Sequence, residues 1–252
     1  MKILLWHGYL LTRSGSNVYA ANVARSWRAA GHDVLVVCQD RSAEGLDFVD
    51  VAGDFAPDNI TFSSKPTNAL PARGRCIVAR PHIDDLLPVY VYDDYEGFRV
   101  KLFVDLSEHE LDGYLWRNVA AMVTAIEGFQ PDAIIVGHEI MGPSVARRAC
   151  ARTESNYLAK LHGSALEYVV KRQERYLIHA REGLGGATTV VGGSNYMIRA
   201  AGDVIGGWQN RAVVVNPGCD VDLFAPVKKG AEAVPTVGFI GKLLAAKGTH
   251  LF

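Results

Sequence analysis

Three histidines, His7, His138 and His162, each fall at or just after a short apolar run and at the start of a turn. If those runs are parallel strands, the imidazoles lie at the strands' carboxyl ends, where ligands of α/β domains collect. A histidine there can donate a hydrogen bond or act as a general base. His162 is the candidate catalytic residue, because it follows Tyr157–Leu161 and precedes a helix-start pattern. His138 and the adjacent Glu139 are further candidate binding residues. A metal site is the competing reading, but no pair has ligand spacing and no acidic cluster completes a set. Metal-independent chemistry with no cofactor is expected.

Two further stretches can bind anions. In Ser14-Gly15-Ser16-Asn17, Gly15 and Ser16 precede a helical pattern, so their N–H groups can face a phosphate where the helix dipole favours negative charge. The stretch is not G-x-G-x-x-G, and a tight turn without chemical role explains it equally well. Lys242 and Lys247, with Gly241 and Gly248, place two cations after the run Val237–Ile240, with a solvated loop as the plainer alternative. No Gly-x-Ser-x-Gly elbow and no convincing Ser-His-Asp arrangement is present, so nucleophilic hydrolysis has little support.

The elements that must position these residues follow from periodicity. Lys2–Trp6 is an apolar run, a helical pattern from Val18 ends at Ala30-Gly31, and Val34–Cys38 is apolar on both faces. Strand, turn, helix and buried strand make a βαβ unit, the start of a doubly wound, mostly parallel α/β sheet of Rossmann-like kind. A polar excursion from Gln39 to Arg75 holds at most a short strand near Leu46–Val51. Strands are predicted at Cys76–Ala79 and Leu87–Val91, the latter near an edge because of Pro88. Tyr90, Tyr92 and Tyr95 lie among Asp93, Asp94 and Glu96 and read as a solvated turn, a substrate-contacting loop being the alternative. A capping box at Ser107–Glu110 opens a helix to Gly128, and Pro131–Val136 is a buried strand. A helix starts at Gly142-Pro143. A second capping box, Ser164–Glu167, predicts a helix running to about Glu182. Strands at Thr188–Val191 and Ala212–Val215 flank a helix at Ser194–Ala201.

These elements fill a first domain, residues 1–226. A polar linker, 227–235, and a strand and turn, 236–252, follow. One strand cannot make a domain, so the expectation is a fragment, or a second domain supplied by another chain. Alone, the chain is expected to be inactive.

Composition excludes several classes. Of 252 residues, 49% are hydrophobic, enough for a sizeable core, and 26 basic against 27 acidic side chains give a net charge of -1. That balance favours neither nucleic acid nor an anionic membrane. Cys38, Cys76, Cys150 and Cys219 are far apart, which reads as a reducing compartment. The apolar start is too short for a signal peptide, and no run approaches the ~18 apolar residues of a membrane span. A cytoplasmic location is expected, with peripheral membrane contact left open.

Four segments together resemble retaining, family-four glycosyltransferases of the GT-B type. They are Gly15–Tyr19, Leu161-His162-Gly163-Ser164-Ala165-Leu166-Glu167-Tyr168, Val215–Pro226, and Val237–Lys242 with Lys247-Gly248. The resemblance spans the N-terminal half of such an enzyme. It implies that residues 1–226 bind the acceptor, a sugar, lipid-linked or small molecule, and that a second domain binds a UDP- or GDP-sugar. Gly15 and Ser16 would lie against a phosphate, His162 against the donor sugar, and Asn17, His138 and Glu139 near the acceptor. Lys242 and Lys247 would neutralise the leaving diphosphate. The family's glycine pair is Ser14-Gly15 here and its usual arginine is Lys242, a point charge in place of a bidentate fork. Two alternatives remain, a non-catalytic subunit that pairs with a separate donor domain, and a sugar-nucleotide epimerase of related fold.

Overall fold

A computed structural model of the chain describes residues 1–56, 60–61, 69–226, 237–241 and 248–251. It divides into two compact units, Met1–Asn216 and Pro217–Phe252.

The first unit is built on β1 (Lys2–Trp6), α1 (Gly15–Ala29), β2 (Asp33–Val37), β3 (Val51–Phe55), β4 (Ile60–Thr61), β5 (Cys76–Arg80), β6 (Leu86–Val89) and β7 (Arg99–Leu102). It continues through α2 (Glu108–Phe129), β8 (Ala133–Gly137), α3 (Gly142–Thr153), β9 (Leu158–Lys160), α4 (Glu174–Gly186), β10 (Thr189–Gly192), α5 (Asn195–Val204) and β11 (Ala212–Val214). Nine strands form one sheet in the order β11-β10-β9-β8-β1-β2-β5-β3-β4, parallel except for β4. β6 and β7 pair in a separate parallel ribbon.

The sheet is covered on both faces, which explains its unbroken apolar strands. Leu4, Trp6, Leu35 and Val37 join one core cluster with residues of α2 and α3. Leu5, Val34 and Val36 join another with Ala20, Ala21 and Ala24 of α1. Because β1 lies between β2 and β8, the chain leaves β1 toward one side of the sheet and later returns to build the other. The crevice at the carboxyl end of β1 is therefore the topological switch point, where this class of sheet binds ligands.

The structure corrects four expectations. The strand near Leu46–Val51 begins only at Val51, because Ala43–Gly45 form a 3-10 turn. β7 is an additional strand, its short Arg-Val-Lys-Leu pattern carrying little periodic signal. Tyr90 and Tyr95 are buried, and only Tyr92 of the three tyrosines is exposed. The helix expected from Ser164 to Glu182 is broken, with π-helical Leu166–Val170, a turn, and then α4. No capping box forms at Ser164, since Glu167 instead pairs with Lys171 at 2.5 Å. The box at Ser107 does form, with Ser107 Oγ accepting from the Glu110 N–H and Glu110 Oε2 accepting from the Ser107 N–H.

In the second unit, Asp220 Oδ1 accepts from the N–H groups of Asp222 and Leu223 and fixes a turn, and Thr249–Leu251 form a 3-10 turn. Lys242 and Lys247 lie outside the described residues.

Candidate active site

His7 follows the last residue of β1, and its N–H donates to the Val37 carbonyl at 2.9 Å. Its Nε2 meets Asn17 Oδ1 at 2.9 Å, while Asn17 Nδ2 donates to the Thr12 carbonyl at 2.6 Å. The second bond places the Asn17 oxygen toward the imidazole, so His7 Nε2 carries the proton. Asn17 is 1% exposed, its amide divided between His7 and the loop ahead of α1. Burial pushes the His7 pKa down to about 4, partly opposed by the Asn17 hydrogen bond. Gly15 and Ser16 form the first turn of α1, capped by Ser14, whose Oγ accepts from the Asn17 N–H at 3.4 Å. First-turn N–H groups have no partner within their helix. Gly15 is exposed, with open space where a Cβ would stand and no left-handed φ.

β8 delivers the next group. After Gly137 the chain turns through His138, which has a left-handed φ of 72°. A non-glycine residue there carries strain of roughly 1–3 kcal/mol, tolerated where the surroundings enforce it. The His138 ring lies 4.6 Å from Tyr90, 4.7 Å from His162 and 6.1 Å from His7, centroid to centroid. It is 1% exposed, and neither ring nitrogen has a hydrogen-bond partner. Burial, reinforced by His162 and His7, holds its pKa well below the usual value, so the ring is neutral.

β9 ends in Lys160, and His162 follows. Lys160 is 6% exposed, its Nζ without a partner and 5.7 Å from the centre of the Tyr19 ring. Burial lowers its pKa, with Glu139 attracting its charge and opposing the shift. Of the three histidines His162 alone reaches solvent. Its ring sits edge-on to Tyr19 at 5.5 Å, and its pKa falls to about 3 through burial and then the charges of His7 and Lys160. It is a neutral hydrogen-bonding group rather than a proton shuttle at physiological pH. Glu139 is fully buried, with Oε1 accepting from the N–H groups of His162 (3.0 Å) and Gly163 (2.6 Å) and Oε2 unpartnered.

His162, His138, Glu139 and His7 thus meet at the switch point, and Asn17 and Tyr19 tie the start of α1 to them. Sequence reasoning did not single out Lys160 or Tyr9, placed Tyr19 only at the end of a resembling segment and read Tyr90 as part of a solvated turn. Lys160 had a visible signal, a cation inside an otherwise apolar strand, whereas the tyrosines had none. A separate cavity of about 430 Å³ lies at the ends of β2, β3 and β5, lined by Gln39, Arg41, Asp54, Arg80, His82 and Phe98 among others. Among the described residues no group of three His, Cys, Asp or Glu side chains can hold a metal ion, and no helix is long and apolar enough to cross a membrane.

Comparison with solved structures finds similar folds at low identity. UDP-GlcNAc 2-epimerase from Methanocaldococcus jannaschii is 10% identical with a TM-score of 0.47, over 85% of this chain and 45% of that one. A glycosyltransferase from Rickettsia africae ESF-5 is 13% identical with a TM-score of 0.47, over 91% of this chain and 46% of that one. The trehalose-6-phosphate structure from E. coli bound with UDP-2-fluoro glucose is 12% identical with a TM-score of 0.49, over 89% of this chain and 50% of that one. The chain spans half or less of the length of each of these three. Comparison with curated proteins yields no match. Residues 14–218 match the glycosyl transferase 4-like domain, a span that takes in the histidine cluster from Asn17 onward and the sheet from β2 to β11. The chain belongs to the glycosyl transferase 4-like domain family.

Proposed function

We propose that this chain supplies the acceptor-binding part of a GT-B glycosyltransferase that moves a sugar from a UDP- or GDP-sugar to an acceptor with retention of configuration. The observation that carries the reading is the placement of His162. It is the solvent-reaching member of a buried polar cluster at the switch point, beside the first turn of α1. Family membership supplies the reaction class.

In this reading the neutral His162 hydrogen-bonds the donor sugar and fixes its angle. The N–H groups of Gly15 and Ser16 face a phosphate, and Lys242 and Lys247 neutralise charge on the leaving diphosphate. The rate then comes from positioning and from charge stabilisation where the diphosphate departs, with no proton relay through the histidines. Asn17 and His138 shape the floor beneath the acceptor, and the fully buried Glu139 acts there only through His162.

The test offers the complete protein, including the donor-binding domain, a panel of UDP- and GDP-sugars with candidate acceptors and reads products by mass spectrometry. Sugar transfer that falls at least ~100-fold in kcat in a folded His162→Ala variant is expected, the usual scale for a positioned polar group. Conversion of a free UDP-sugar without any acceptor would overturn the reading in favour of epimerisation. So would unchanged kcat in a His162→Ala protein that has lost thermal stability.

A further inference from the structure

His162 stands on a loop whose own sequence does not hold it. The Glu167 N–H donates to the Gly163 carbonyl, and Leu166–Val170 wind as a π-helix whose N-cap residue, Ala165, makes no side-chain capping bond. What fixes the loop comes from β8. A buried carboxylate is costly unless hydrogen-bonded, and Glu139 spends one oxygen on two successive N–H groups, those of His162 and Gly163. Two adjacent N–H groups converge on one anion when the chain turns through the left-handed region, and Gly163 has a φ of +85°. His138, at φ 72°, makes the corresponding turn on the other side and delivers Glu139 beneath β9. The ring of His162 is then confined by Tyr19 and His138, and a Cβ on Gly137 would come within 3.4 Å of its Nε2.

We infer that Glu139 is the positioning residue for His162, holding the His162-Gly163 peptide through Oε1 so that the imidazole keeps one orientation at the mouth of the site. Glu139 itself is fully buried and acts on a ligand only through His162. The importance of that orientation for turnover rests on the proposed glycosyl transfer. The positioning itself does not.

The experiment therefore has two arms, the first on this chain and the second on the complete protein with its donor-binding domain. In the first, the His162 imidazole resonances and the exchange of the His162 and Gly163 amides are followed by NMR in wild type, Glu139→Ala and Glu139→Gln. Glu139→Ala is expected to shift the imidazole resonances and to speed exchange of both amides at least ~100-fold, since it removes two charge-assisted bonds. Glu139→Gln keeps the shape and weakens the bonds, so the Gly163 amide proton should move upfield and exchange roughly tenfold faster. Should Glu139→Ala fail to fold, Glu139→Gln decides alone. An unchanged Gly163 amide and an unchanged imidazole in folded Glu139→Gln overturn the inference. In the second arm, turnover of the nucleotide sugar found by the panel is compared for Glu139→Ala, His162→Ala and the double variant. Double-variant activity no lower than that of His162→Ala is expected, because Glu139 acts through the imidazole. A multiplicative loss would show an independent role and overturn it. If His162→Ala retains full turnover, the functional reading fails while the NMR arm still judges the positioning.

Discussion

Two groups of polar side chains sit at the carboxyl ends of the same sheet, and their hydrogen bonding differs sharply. At the ends of β2, β3 and β5, Arg80 is 8% exposed, its Nε and Nη2 bonding the two oxygens of Asp54 at 2.7 and 2.9 Å and its Nη1 reaching Glu44 and the Asp40 carbonyl. Asp40 accepts from the Leu11 and Ser42 N–H groups, and Gln39 donates to the Pro81 carbonyl. At the ends of β1, β8 and β9, both nitrogens of His138, Glu139 Oε2 and Lys160 Nζ have no partner. Satisfied polar groups hold a fold together, whereas unsatisfied ones cost stability and persist where they serve something else. A cavity also lies beside the satisfied group, so concavity does not single out the histidines, whereas hydrogen-bond accounting does.

The comparison breaks most visibly at the active end. Alongside His162→Ala, Gly15→Val should reduce turnover of the complete protein at least ~100-fold with the fold intact, by filling the space where, in the proposed site, a phosphate approaches backbone N–H groups. Gly15 is exposed with nothing near its Cβ position, so the structure itself tolerates the side chain. Wild-type kinetics in Gly15→Val would remove this turn from the site.

Next in size is a contrast of sign. Arg80→Met should destabilise by about 1–3 kcal/mol, less than for a fully buried pair because the Asp54 side chain is 61% exposed. Turnover should be unaffected. Lys160→Met removes an unpartnered buried cation and should leave stability unchanged or raise it by up to ~1 kcal/mol, while turnover falls. Denaturant unfolding of both variants decides the matter, and a Lys160→Met loss as large as that of Arg80→Met would erase the distinction between the two groups.

The histidines also give the active end a pH signature. Their folded pKa values lie below the unfolded value of about 6.5, at about 4 for His7 and about 3 for His162, with His138 well below. A depressed histidine pKa contributes stability that is complete above pH 6.5 and declines below it, because the unfolded chain takes up protons that the folded one refuses. The slope approaches about 1.4 kcal/mol per pH unit for each of His7 and His138, with less from partly exposed His162. Unfolding free energies from pH 8 to 5 should be flat and then fall. A rise below pH 6.5 would mean that the imidazoles are charged in the native state.

Much of the sheet was legible because a strand covered on both faces must be apolar throughout, as Ile3–Trp6, Val34–Val37 and Ile134–Val136 are. Local signals failed where a distant residue took over a local task. Ser164–Glu167 has the letters of a capping box, yet the Glu167 N–H donates to the Gly163 carbonyl and its carboxylate pairs with Lys171, while Glu139, some two dozen positions earlier, holds the His162 and Gly163 N–H groups just ahead of it. Tyr90 and Tyr95 sit in an acidic, turn-like stretch, and nothing near them in sequence announces that Tyr90 stacks on Phe103 and lies tilted against His138. The histidines were visible because strand ends are visible. Their mutual contact was not, since it depends on β8 and β9 lying beside β1.

That strand order has a consequence during synthesis. β1 leaves the ribosome before β2 and β8, the strands that flank it, yet it occupies the middle of the sheet, and its register with β8 pairs Ile3 with Ala133. At about 5–20 residues per second, the nascent chain carries an apolar strand with one side unpaired for on the order of ten seconds before β8 exists. Contacts so distant in sequence also make the search for the native pairing slow. The carboxyl end of β1 therefore acquires His138 and His162 only after β8 and β9 have been made, and the site is among the last parts of the domain to assemble.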